Sequence, residues 1–145
     1  MIKLRIKLLD KSLKMPRYAH RGDAGIDLCS RIDCTLEPLQ RMLVPTGIKV
    51  AIPDGYAGFI QPKSGLAIKR GIGLINSPGL IDSGYRGEVC AILINLDRDN
   101  SFEIKKGDKI CQMVIQRIEE VEIQEVEELD LTSRGIGGFG STGRN

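Results

Sequence analysis

An all-β barrel or sandwich is the fold class that this 145-residue chain predicts, on three observations. Short runs rich in valine, isoleucine and leucine recur along most of its length. Turn-forming Gly, Pro, Asn and Asp separate them at near-regular spacing, the pattern of many short strands. Only one stretch, Ser64 to Lys69, reads as helical, with Ser64 placed to cap its start and Gly71 to stop it. The length suits a single domain with a core of its own.

Taken in order, Ile2 to Leu8 predicts a first strand with Ile2, Leu4, Ile6 and Leu8 on one face. Met15 to Asp23 is a polar loop carrying Pro16 and Gly22. Strands are expected at Ile26–Cys29, Arg31–Leu36, Arg41–Val44, Ile48–Ile52 and Ala57–Gln61. Glu37-Pro38, Pro45-Thr46-Gly47 and Pro53-Asp54-Gly55 supply turns between the later ones. Beyond the helix, strands are expected at Gly73–Asn76, Glu88–Leu96, Phe102–Ile104, Lys109–Arg117 and Val121–Val126. In the last of these Val and Ile alternate with Glu or Gln, so the acidic run Glu119–Glu128 reads as the wet face of a strand, not an active-site cluster. Arg134 to Gly143 holds five glycines and little that could pack. The expectation is a folded body over residues 1–131 and a mobile glycine-rich arm over 132–145.

Composition excludes several function classes. Lys and Arg exceed Asp and Glu by 21 − 19 = 2, too little for a surface that coats nucleic acid. Tryptophan is absent and aromatics are few, so platforms for stacking single strands are not expected. No apolar run approaches the ~18 residues of a membrane span. The N-terminal Met1–Leu8 alternates charged and apolar residues, unlike a signal peptide, and a cytoplasmic protein is expected. Cys29, Cys34, Cys90 and Cys111 form no C-x-x-C pair, and His20 is the one histidine, so buried free thiols are expected rather than a zinc site. His20 is expected on a surface or loop.

Five patches carry chemistry. Gly79–Glu88 packs three glycines, Asp82 and Tyr85 into ten residues, a composition for a tight hairpin. Such a hairpin can present peptide groups to a base edge, an aromatic ring to a sugar and a carboxylate to a water. Ala24–Leu28 sets Asp27 among apolar neighbours. Pro62–Ala67 places a cation, a hydroxyl and free N–H groups at the start of the helix, where anions are favoured. Gly107–Met113 turns and carries Gln112 into a strand. The arm offers bare backbone N–H groups and hydroxyls that can converge on an anion, without the G-K-[ST] of a Walker loop. Taken singly, each patch is equally explained as a turn, a cap or the start of a strand.

Together, in this order and spacing, the five patches resemble the motifs of the trimeric deoxyuridine triphosphatases (dUTPases), from Ala24 to Gly143. The resemblance implies a distorted jelly-roll β-barrel with one short helix near residues 64–70. It also implies Mg²⁺-dependent hydrolysis of dUTP to dUMP and pyrophosphate, limiting uracil in DNA and supplying dUMP for thymidylate synthesis. By the same resemblance Asp82 is the general base, and Tyr85 lies under the deoxyribose. Asn76 and the Gly79–Tyr85 backbone, including Leu80 and Ile81, read uracil. Lys63, Ser64, Gly65 and Gln112 hold the phosphates, with Asp27 in a supporting role. Arg134, Phe139, Gly140, Ser141 and Thr142 belong to the closing arm, Phe139 over the base. Mg²⁺ is implied on substrate phosphates and waters, with no direct protein ligand. A homotrimer is implied, its sites taking the first, second and fourth motifs from one chain, the third from another and the arm from the last.

Two positions depart from the family's commonest pattern. Lys63 stands where an arginine is usual, keeping the charge without the planar fork, so a weaker phosphate contact is expected. Gly84 stands where an acidic residue is frequent. The alternatives are a dCTP deaminase-like or bifunctional relative, and a catalytically silent nucleotide-binding protein.

Overall fold

The computed structural model of the protein describes residues 2–139 and 141. Its strands are β1 (Arg5–Leu8), β2 (Gly25–Cys29), β3 (Cys34–Leu36), β4 (Arg41–Pro45), β5 (Ile48–Ala51) and β6 (Tyr56–Gln61). After helix α1 (Ser64–Arg70) come β7 (Ile72–Leu74), β8 (Gly79–Ile81), β9 (Cys90–Asn95), β10 (Phe102–Ile104) and β11 (Lys109–Arg117). All pairings are antiparallel, in sheets ordered β1-β5, β10-β3, β2-β11-β6-β8 and β4-β9-β7. The expected all-β class with a single short helix is what the chain adopts. Alternation on the strands turns Leu28, Val44, Ile48, Ile60, Leu93 and Met113 into one shared core.

Several elements differ from the sequence reading. The first strand begins at Arg5, because Arg5 pairs with Ala51 and the partner strand then runs out into Pro53, which has no N–H to offer. The Arg31–Leu36 strand shortens to β3, since the Ser30 hydroxyl donates to the Ile32 carbonyl and accepts from its N–H, turning the chain. The Gly73–Asn76 and Glu88–Leu96 expectations become β7 and β9. Ser64 is not the cap of α1: Lys63 holds that position in extended conformation and gives no side-chain cap hydrogen bond. Gly71 does stop the helix, in left-handed conformation at φ 64°.

Val121–Val126 forms no strand. Among the described residues it pairs with no strand, and Val121 and Ile123 stand exposed. The wet glutamates are as expected; the strand is not. Of the thiols only Cys111 is fully buried, and burial pushes it up to about 12, while the other three are half-buried. His20 is exposed in a loop, as expected.

Candidate active site

The four-stranded sheet β2-β11-β6-β8 carries most of the chemistry. In its centre Gln112 of β11 pairs with Asp27 on one side and Gln61 on the other, so the first, second and fourth patches meet. Between Lys109 and Cys111 the β11–β2 register shifts by a bulge. In a regular strand, residues three apart point to opposite faces. The extra residue returns Lys109 to the face of Gln112, opposite Cys29 and Asp27 respectively, while Ile110 and Cys111 both turn inward.

The face so built is densely bonded. Lys63 Nζ lies 2.5 Å from Asp27 Oδ1, and Lys109 Nζ lies 2.7 Å from Asp27 Oδ2. Partial burial pushes the Asp27 carboxyl up, but hydrogen bonds from Lys109 and Lys63 outweigh it and hold it below its usual range. The same contact raises Lys109. Gln112 Nε2 donates to the Pro62 carbonyl at 3.0 Å. Gly25 must lack a side chain here, because a Cβ would run into the Gln112 amide. Ser64 and Gly65 follow Lys63 exposed at the start of α1. The sequence reading missed Lys109 and Gly25 as individual residues of the site. Basic character inside the fourth patch was its one signal for Lys109; the bulge that aims it has none.

The third patch is elsewhere. Asn76, Gly79, Leu80, Ile81, Asp82 and Tyr85 line one cavity of about 290 Å³. It is not a two-stranded hairpin as expected: β8 pairs with β6 as an edge strand, and a turn closed by Tyr85 N–H on the Asp82 carbonyl (3.1 Å) ends it. A Cβ on Gly79 would sit 3.3 Å from Asn76 Nδ2, so glycine keeps that amide close. The Tyr85 hydroxyl donates to the Glu88 carbonyl at 2.9 Å, and its ring lies where a Gly87 side chain would be. These contacts orient the ring, and Gly87, counted from the sequence only as one of the patch's three glycines, is a third residue that sequence reasoning did not single out. Asp82 is exposed, and among the described residues its carboxylate has no hydrogen-bond partner.

The register separates the two groups. Gly58 pairs with Ile81, next to Asp82, whereas Lys63 lies five residues further along the chain from Gly58. The β6–β8 ladder runs over Gly58–Ile60, so Asp82 lies past its Gly58 end and Lys63 past its Ile60 end. A larger cavity, about 1040 Å³, lies beneath the Ser12–Ala19 loop and reaches Asp27 and Lys109. The described residues of the arm bond to neither group. Its described hydrogen bonds are internal, Arg134 Nε to the Gly137 carbonyl and Ser141 N–H to that of Gly138, and Phe139 is fully exposed. Gly140 and Thr142 lie outside the described residues.

A family model for dUTPase matches residues 11–143. The deoxyuridine 5'-triphosphate nucleotidohydrolase of Rhodococcus erythropolis is 51% identical over 142 residues, 98% of this chain and 87% of the relative. That of Clostridium kluyveri is 52% identical over 142 residues, covering 98% and 99%. Among solved structures, a variant of the Staphylococcus bacteriophage 80alpha dUTPase with dUpNHpp superposes with a TM-score of 0.91 at 31% identity, covering 99% of each chain. A dUTPase variant from phage phi11 of S. aureus, described for its structural Mg(II) ion, superposes at 0.82 with 28% identity over 90% of this chain and all of that one.

Proposed function

The chain belongs to the dUTPase family, and from that premise we propose how its residues divide the work of one shared active site. It is a dUTP nucleotidohydrolase, a dUTP diphosphatase that yields dUMP and pyrophosphate. The observation that carries the proposal is the strand register, which leaves Asp82 past the Gly58 end of the β6–β8 ladder and Lys63 past its Ile60 end. In this reading the two groups serve one triphosphate from different copies, and a second chain completes each site. A homotrimer, with the body over 1–131 and the arm over 132–145 reaching a neighbour, satisfies this with closed symmetry.

The proposed roles are those that the family resemblance implies, set on the residues as the structure holds them. Uracil enters the Asn76–Asp82 cavity, where peptide groups and the Asn76 amide pair with its edge and the close walls exclude a 5-methyl group. The fixed Tyr85 ring lies under the sugar and leaves no room for a 2′-hydroxyl. On the neighbouring copy Lys63, the N–H groups of Ser64 and Gly65, and Gln112 hold the phosphates, with Asp27 orienting the lysines. Asp82 takes a proton from the water whose oxygen forms a bond to the α-phosphorus; the bond from that phosphorus to the bridging oxygen breaks and pyrophosphate leaves. Arg134, Phe139 and Ser141, with Gly140 and Thr142, close over the substrate and exclude water.

The donor set fits Mg²⁺ brought by the substrate. Among the described residues no three His, Cys, Asp or Glu side chains group as ligands, and both oxygens of Asp27 are taken by lysines. Mg²⁺ would rest on phosphate oxygens and water, neutralising the charge of the triphosphate. The decisive assay follows pyrophosphate from dUTP, dCTP, dTTP and UTP, with Mg²⁺ and after EDTA, alongside sedimentation. Metal-stimulated release from dUTP alone by a trimer is expected; a monomer with full turnover, or ammonia from dCTP, overturns the scheme. Asp82→Asn is expected to lower turnover by about 10²–10⁴-fold while nucleotide binding persists.

A further inference from the structure

The hydroxyl of Tyr85 donates to the Glu88 carbonyl at 2.9 Å, and that carbonyl is itself held. Other hydrogen bonds described for the Asp82–Gly87 turn are local, Tyr85 N–H to the Asp82 carbonyl and Arg86 Nη1 to the Ser83 and Tyr85 carbonyls. Glu88 is where the turn is fastened to the rest of the fold. Its Oε1 accepts from the Gly47 N–H at 2.8 Å, and its Oε2 lies 3.3 Å from Arg31 Nη2. In the same peptide as the Glu88 carbonyl, the Val89 N–H donates to the Ile48 carbonyl at 2.9 Å. Side chain and main chain together thus fasten Glu88 to the turn between β4 and β5, and Arg31 reaches it from the turn between β2 and β3. The Glu88 side chain is only 19% exposed, so this ion pair is screened less than one in open solvent. Arg31 lies outside all five patches of the sequence that carry chemistry.

We propose that Glu88 and Arg31 are positioning residues for sugar selection, acting through Tyr85. With Glu88 fastened, the ring hydroxyl has a fixed acceptor, and the ring keeps its place against a 2′-hydroxyl. Neither side chain touches the substrate in this scheme. It rests on the reading of the Asn76–Asp82 cavity as the uracil and sugar site. A contact that merely stabilised the fold would lower turnover of dUTP and UTP alike and leave their ratio unchanged.

The readout is the ratio of kcat/KM for dUTP to that for UTP, measured on the full-length enzyme with Mg²⁺. Glu88→Ala is expected to lower it about tenfold and Arg31→Met about threefold. Glu88→Gln keeps an acceptor for the Gly47 N–H and is expected to cost less than about threefold. In a Tyr85→Phe background the ring has no hydroxyl to hold, so Glu88→Ala or Arg31→Met is expected to move the ratio less than about 1.5-fold. Circular dichroism and the thermal midpoint check that each variant is folded, and Arg31→Met carries the test should Glu88→Ala fail to fold. A folded Glu88→Ala or Arg31→Met variant with the wild-type ratio overturns the proposal. So does an equal fall in both Tyr85 backgrounds, which would mean that Glu88 does not act through the hydroxyl. A wild-type protein that releases no pyrophosphate from dUTP, or takes dUTP and UTP equally, overturns the reading of the cavity itself, and is seen before any variant is made.

Discussion

The Asp27–Lys63–Lys109–Gln112 face and the Arg134–Ser141 arm both carry cations and hydrogen-bond donors suited to phosphate, yet they are held in opposite ways. The face is built across three paired strands, and its polar groups hold one another at 2.5–3.0 Å. The described residues of the arm bond only to one another, and Phe139 stands in solvent. A group held in place before substrate arrives loses little freedom on binding; a free segment gives up backbone and side-chain entropy and must recover it from contacts. The difference sharpens the proposed division of work, in which the face sets affinity for the ground state and the arm acts once substrate gives it something to close upon.

Deleting residues 132–145 tests that contrast most severely. Turnover of dUTP is expected to fall by about a hundredfold or more, with the thermal midpoint unchanged, since nothing described in the arm supports the body. A lower midpoint in calorimetry would show the arm to be structural. Gly25→Ala probes the other side. Its Cβ displaces the Gln112 amide from the Pro62 carbonyl, at a cost of about 1 kcal/mol of stability, measured by urea unfolding, and a higher KM. Gly138→Ala in the arm has open space around the new methyl and should leave stability within about 0.5 kcal/mol. If the two substitutions cost the same, the face is not the rigid partner.

The smallest effect is in pH. Because Asp27 is depressed in the folded state, its contribution is present above the unfolded value of ~3.9 and is lost as pH falls through the lower folded one. Lys109 is raised, so its contribution is present below ~10.4 and is lost only as pH rises through its higher folded value. The clamp is therefore intact at neutral pH. Carbon-detected NMR should find the Asp27 carboxyl titrating below its ordinary range, and Lys109→Met should move it back up.

Much of the architecture was legible locally. Phe102–Ile104 and Lys109–Arg117 form strands with the expected bounds, and Gly71 stops the helix, because alternation and a left-handed stop are written into neighbouring residues. Val121–Val126 has the same alternation and forms no strand, because a strand needs an edge to pair with and a period of two names no partner. The site divides along the same line. Its residue types and their order, Asp27, Ser64, Asp82, Tyr85, Gln112 and the glycine-rich arm, could be picked out from the chain alone. That Asp27 sits between two lysines, that Gly25 makes room for Gln112, and that Asp82 and Lys63 lie past opposite ends of the β6–β8 ladder could not. Those facts come from strand order, register and one bulge, which are settled by contacts between residues dozens of positions apart. Local sequence determined which residue types this protein carries and in what order; tertiary pairing decided which of them meet within the chain.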